Sequence, residues 1–193
     1  WESAMQAQSV SDFAGLRREL TEYMRFRPSD AKAHFLLAQS CRREPRENFQ
    51  LAAEHLGAAY RGGYSPADVN LENALLAFQS TGESGPHEVL LQSYLQRRPE
   101  SEPLILEALA RGCMRSGRMN DATTWLNRWV KNYPEDWYAR LWRGSLFQHL
   151  SQAPAAIEDY RRVLQVRPDR QDVRRRLGLM LATSGYDFQE GRK

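Results

Sequence analysis

Apolar positions along this chain recur at the spacing of one face of an α-helix. Leu16, Leu20 and Tyr23 share a face between Asp12 and Pro28, and Leu177 and Leu181 do the same near the other end, with Gly178 between them. No stretch alternates apolar and polar residues as a half-buried strand would. The runs begin and stop where local chemistry expects. Ser11-Asp12, Ser29-Asp30 and Asp169 precede helical runs as capping residues, and Gly82, Gly117 and Gly185 stand where the chain must turn between helices.

A longer period lies over the helical one. Four prolines share a local context, in Arg27-Pro28-Ser29-Asp30, Arg98-Pro99-Glu100-Ser101, Tyr133-Pro134-Glu135-Asp136 and Arg167-Pro168-Asp169-Arg170, with steps of 71, 35 and 34 residues. The first step is close to twice the others, so one unit lacks its proline; Gly62-Gly63 stands in its place. A 34-residue period predicts stacked helix pairs. In the last complete unit Gly144, Ala156 and Tyr160 stand 24, 12 and 8 residues before Pro168.

This small, small, aromatic, proline spacing resembles the tetratricopeptide repeat, with Gly or Ala at position 8, Ala at 20, Tyr or Phe at 24 and Pro at 32. Two helices must approach closely at the small positions, and proline ends the second helix. The unit from Pro103 matches with Ala110, Ala122, Leu126 and Pro134, and the unit from Ala31 with Ala38, Ala52 and Leu56 after an extension around Pro45. The unit ending at Pro99 keeps Gly82 and Leu91 but places His87 at the small position 20. The resemblance implies an all-α fold, a right-handed superhelical α-solenoid of antiparallel helix pairs. About five repeats plus a terminal helix are expected in a single repeat domain spanning 1–193. The units are approximately 1–30, 31–66, 67–102, 103–136 and 137–170, with a partial unit at 171–193.

Composition adds limits. The 193 residues are 41% hydrophobic and 26% charged, enough to bury a core beneath a water-facing surface. No apolar run approaches the roughly 18 residues of a membrane span. The start, Trp1-Glu2-Ser3-Ala4, carries neither a signal-peptide pattern nor an initiator methionine, so a fragment of a longer protein is expected. The net charge of +3 is small, but seven arginines crowd between Arg161 and Arg176 against Asp169 and Asp172.

Candidate chemistry is sparse. Cys41 and Cys113 fall on inward-facing positions two repeats apart, too far to bridge, and are expected as buried free thiols, which slightly favours a cytoplasmic location. His34, His55, His87 and His149 form no His-Glu-x-x-His motif and no pair four apart, and no cysteine stands near them at zinc spacing. No phosphate loop and no Gly-x-Ser-x-Gly nucleophile is present. Neither catalysis nor a cofactor is expected. Trp125 and Trp129 are expected to fill the seam between repeats, whereas Trp142 should stand on or beside the binding face.

In the family the resemblance points to, the first helices line a concave groove that holds a peptide or a helix. The corresponding positions here give Phe35, Arg42 and Arg43; Glu72 and Asn73; Glu107, Arg111 and Arg115; Tyr138, Trp142 and His149; and Arg175. Guanidinium groups and aromatic rings together suit an acidic, partly apolar partner. The chaperone-binding carboxylate clamp of the family finds only Asn73 here. The expected function is therefore a protein-protein interaction scaffold. The alternatives are RNA binding through the Arg161 to Arg176 stretch, a docking or regulatory arm of a larger enzyme, and end-to-end self-association through the Arg174-Arg175-Arg176 helix.

Overall fold

Capping side chains set where the helices start. Asp12 Oδ1 accepts from the amide of Gly15 at 3.0 Å, and Asp30 Oδ1 from that of Ala33 at 3.0 Å. Asn48 and Asp136 act alike at two further N-termini, each such cap being worth about 0.5–2 kcal/mol. The computed structural model describes residues 12–44 and 46–183, so Ser11, Pro45 and Gly185 lie outside the described residues. Asp169 departs from expectation: both its oxygens are held by Arg167, at 2.9 and 2.8 Å, and it caps nothing.

Among the described residues there are ten α-helices and no strand. They are α1 (Phe13–Met24), α2 (Ala31–Arg43), α3 (Phe49–Arg61), α4 (Pro66–Thr81), α5 (Pro86–Arg97), α6 (Glu102–Arg115), α7 (Met119–Asn132), α8 (Trp137–His149), α9 (Ala153–Val166) and α10 (Gln171–Thr183). A short 3-10 turn covers Pro99–Ser101. The helices form two compact units, Trp1–Pro99 and Glu100–Lys193, whereas the repeat period reads as one continuous array.

In the first unit α2 and α3 form the tightest pair; α1 packs on α2, α4 on α3, and α5 on α4. Helices joined by connections this short and packed along their length run antiparallel. Leu16 and Leu20 of α1 meet Ala33, Leu36 and Leu37 of α2. Phe35 and Ala38 of α2 meet Leu56 and Ala59 of α3 and Val69 of α4. The α4/α5 pair is the loosest of the within-repeat pairs. That is where His87 replaces a small residue, and α5 buries only Glu88 and Leu91 while Val89 and Leu90 stay exposed.

In the second unit α6 pairs with α7 and α8 with α9, and α7 on α8 and α9 on α10 continue the stack. The close approach inferred at position 8 is visible at Gly144. A Cβ there would stand 2.9 Å from the Tyr160 ring and 3.3 Å from Cβ of Asp159. Gly82 and Gly117, at φ of +69° and +78°, make the left-handed turns expected of them. Cys41 and Cys113 are buried free thiols, and burial pushes the Cys41 thiol up to about 11. No helix among the described residues is long and apolar enough to cross a membrane.

Candidate interaction faces

The residues expected to line a groove divide by burial. Phe35, Arg42, Glu72, Glu107, Arg111 and Tyr138 are interior; Arg43 and Trp142 are part-exposed; Asn73, Arg115, His149 and Arg175 are exposed. The interior six require correction, because none of them presents a surface to a ligand.

Phe35 illustrates the apolar case. Its ring stacks on Tyr64 at 4.4 Å within the α2–α3–α4 core. Arg42 illustrates the charged case. It is 0% exposed, its Nε donates to Glu72 Oε1 at 2.5 Å, and its Nη1 donates to Gln79 Oε1 at 2.8 Å. Gln79 Nε2 donates in turn to the Arg42 carbonyl and to Glu47 Oε1, and Gln39 Nε2 reaches Glu72 Oε2. Two first helices, α2 and α4, are thus bolted together by a largely buried network in which Arg42 meets Glu72 and, through Gln79, connects to Glu47. A charge pair in such a place holds geometry, and breaking it leaves an uncompensated ion.

The second unit repeats the device with other residues. Arg111, 3% exposed, donates through Nη1 to Glu107 Oε1 at 2.7 Å and lies within 3.4 Å of the Tyr138 hydroxyl. Its guanidinium stacks over the Trp142 ring at 4.3 Å, and Tyr138 meets that ring edge-on at 6.2 Å. The Trp142 indole Nε1 is buried and makes no hydrogen bond. Trp129 fills the seam as expected and donates through Nε1 to Asp136 at 3.0 Å. Burial raises Asp136 above the usual carboxylate range, although the Tyr138 and Ala139 amides pull it back.

Several arginines of the basic stretch pair with near neighbours. Arg167 and Arg170 flank the Trp137 ring at 4.8 and 4.9 Å while pairing with Asp169 and Asp172. Arg162 pairs with Glu158, and Arg174 donates to the Pro168 carbonyl.

Several first-helix side chains stay on the surface, as do Tyr60, Val89, Leu90 and Val166 of second helices. Trp142, Ser145 and His149 share one face of α8 at helical spacing, each with some exposure. Arg175, Arg176 and Leu179 are exposed on α10, which buries Val173 and Met180. Arg176 Nη1 donates to Ser145 Oγ at 3.3 Å and so sets these two faces side by side. Beneath them the Tyr160 hydroxyl donates to Gln148 at 2.7 Å.

One contact was invisible to sequence reasoning. His34 of α2 and His55 of α3 meet Nδ1 to Nδ1 at 2.9 Å, and His34 Nε2 donates to the Pro28 carbonyl at 3.0 Å. Because a carbonyl only accepts, His34 in its neutral form carries its hydrogen on Nε2, and His55 supplies the proton between the rings. The centroids are 5.2 Å apart, so the two nitrogens face each other along the line joining the rings. That arrangement shares a proton and does not converge on an ion. Among the described residues no group of three or more His, Cys, Asp or Glu side chains is placed to hold a metal ion.

No protein-family model matches the chain, and no curated protein matches it. Solved structures similar to it include two of MamA. One is 13% identical and covers 94% of this chain and 84% of that one, with a TM-score of 0.43; the other is 12% identical and covers 95% and 80%, with a TM-score of 0.42. A crystal structure of the P58(IPK) TPR domain is 13% identical over 97% of this chain and 65% of that chain, with a TM-score of 0.45.

Proposed function

We propose that the chain is a protein-protein interaction scaffold without catalytic activity of its own, holding a peptide or partner segment along the exposed faces of its first helices. The observation that carries the reading is an unequal use of side chains. Buried pairs such as Arg42–Glu72 and Arg111–Glu107 serve the helix packing, while other first-helix groups serve nothing inside the fold: Asn73 and His149 are exposed, and Leu179 is 60% exposed. Scattered single apolar residues are ordinary on a surface; within the second unit, exposed Leu179 stands on α10 with Arg175 and Arg176 next to the α8 face that holds Trp142, and apolar and cationic groups so combined mark a place for a partner. Stacked helix pairs present such faces as extended surfaces.

Photo-cross-linking tests the reading directly. A benzophenone side chain is placed at Asn73, His149 or Leu179, and as a control at Tyr60 or Arg161 on second helices. Each variant is then irradiated with a pool of random dodecapeptides. First-helix positions are expected to capture peptide in a saturable way that unlabelled pool suppresses. Equal capture at Tyr60 and Arg161 would remove the first-helix assignment.

A further inference from the structure

Helices α8 and α10 carry an excess of basic residues, as α2 does through Lys32, Arg42 and Arg43. Helix α8 has two arginines, His149 and no acidic residue, and α10 has Arg174, Arg175 and Arg176 against Asp172 alone. Asp172 is spent on Arg170, whose guanidinium holds its carboxyl below the ordinary value. The α8 arginines are spent too: Arg143 grips buried Asp159 with two bonds of 2.8 Å, and Arg140 reaches the same carboxylate at 3.5 Å. The guanidiniums left outward on this surface are Arg175 and Arg176, beside exposed Leu179 and part-exposed Trp142.

Resting on the scaffold reading above, we infer that the α8–α10 surface is the docking site, and that its occupant is an acidic peptide segment with an apolar residue next to the carboxylate. A carboxylate of the segment pairs with Arg176 where that side chain already rests on the Ser145 hydroxyl. The hydroxyl bond holds the long guanidinium at one place on α8, so little side-chain freedom is left to lose on binding. One Arg176 nitrogen is engaged by Ser145 at 3.3 Å, and the guanidinium fork keeps further donors for a planar carboxylate. Leu179, one turn farther along α10, receives the neighbouring apolar side chain, and Arg175 adds a second positive charge at the rim. Charge complementarity sets the sign of the partner. The exposed leucine favours a peptide over nucleic acid, whose backbone would gain nothing from it. Arg42 and Arg111, two of the five arginines that the sequence nominates for an acidic partner, are excluded because Glu72 and Glu107 neutralise them in the interior.

The test uses the whole chain and three fluorescein-labelled probes: a dodecapeptide pool of mixed Asp, Glu, Leu and Phe, the same pool with Asn and Gln replacing the acids, and oligouridylate. Anisotropy titrations compare the wild type with Arg176→Glu, Leu179→Asp and the control Arg161→Glu, circular dichroism confirming helix content in each. The acidic pool is expected to bind at least about tenfold more tightly than the amide pool, the loss of one exposed charge-assisted contact having about that effect. Arg176→Glu and Leu179→Asp should each weaken it by a comparable factor, Arg161→Glu should not, and added salt should weaken the Arg176-dependent part. Peptide binding indifferent to both Arg176→Glu and Leu179→Asp would overturn the α8–α10 assignment while leaving a scaffold. Binding of neither peptide pool would count against the scaffold reading as well, and tighter binding of oligouridylate would replace a protein partner with an RNA.

Discussion

At the scale of single residues, the sequence signals and the structure part over what an arginine is doing. Arg42 and Glu72 are 30 residues apart with no local pattern joining them, so only the packing of α2 against α4 discloses that they neutralise each other. Glu107 and Arg111 are four apart on one helix and were legible as a pair in principle. Phe35 was misplaced because a first-helix position faces outward only while nothing stands against it, and Tyr64 does. The small positions were legible because their reason is steric and local to the repeat, as the contact between Gly144 and Tyr160 bears out. A direct consequence concerns Glu72. Glu72→Ala should lower stability by about 3–5 kcal/mol, by stranding the Arg42 charge, whereas the double change Arg42→Met with Glu72→Leu should cost much less. Urea denaturation of both variants checks this; equal losses would mean the pair is not acting as one unit.

At the scale of helices, Asp12 and Asp30 were readable as caps because Asp before a helical run has a direct physical role. Asp169 was misread because Arg167, two residues away, competes for the same oxygens and draws its pKa down to about 2. The α2/α3 pair holds the contact with the clearest pH signature. Burial, followed by the charge of His34, holds His55 below its ordinary value of 6.5, with Glu54 pulling weakly the other way. As pH falls, the unfolded chain therefore takes up the proton first. The stability contributed by neutral His55 is complete above about pH 6.5 and is lost as pH falls from there through the lower folded-state value. Urea midpoints should drop between pH 7.5 and 5.5 in the wild type and drop less in His55→Asn. A drop of the same size in both would show that the acid sensitivity lies elsewhere.

At the scale of the whole chain, the 34-residue period correctly announced an all-helical array of pairs, since each pair must stack on a neighbour to bury its apolar faces. The division at Pro99–Glu100 was not announced, though the irregular unit before Pro99 lies beside it and its His87 accompanies the loosest pair. The basic cluster near the C-terminal end was visible, but not that Arg162, Arg167, Arg170 and Arg174 pair with their neighbours while Arg161, Arg175 and Arg176 keep their charge outward. Composition counts arginines; only packing says which of them are free to meet a partner. Amide hydrogen exchange of the full chain, with and without a saturating acidic-apolar peptide pool, tests the proposal that partners are held on first-helix faces. Added protection is expected in α8 and α10 and none in α7 or α9 beyond what a general stabilisation gives; protection confined to the second helices, or absent from α8 and α10 while peptide is bound, would overturn it.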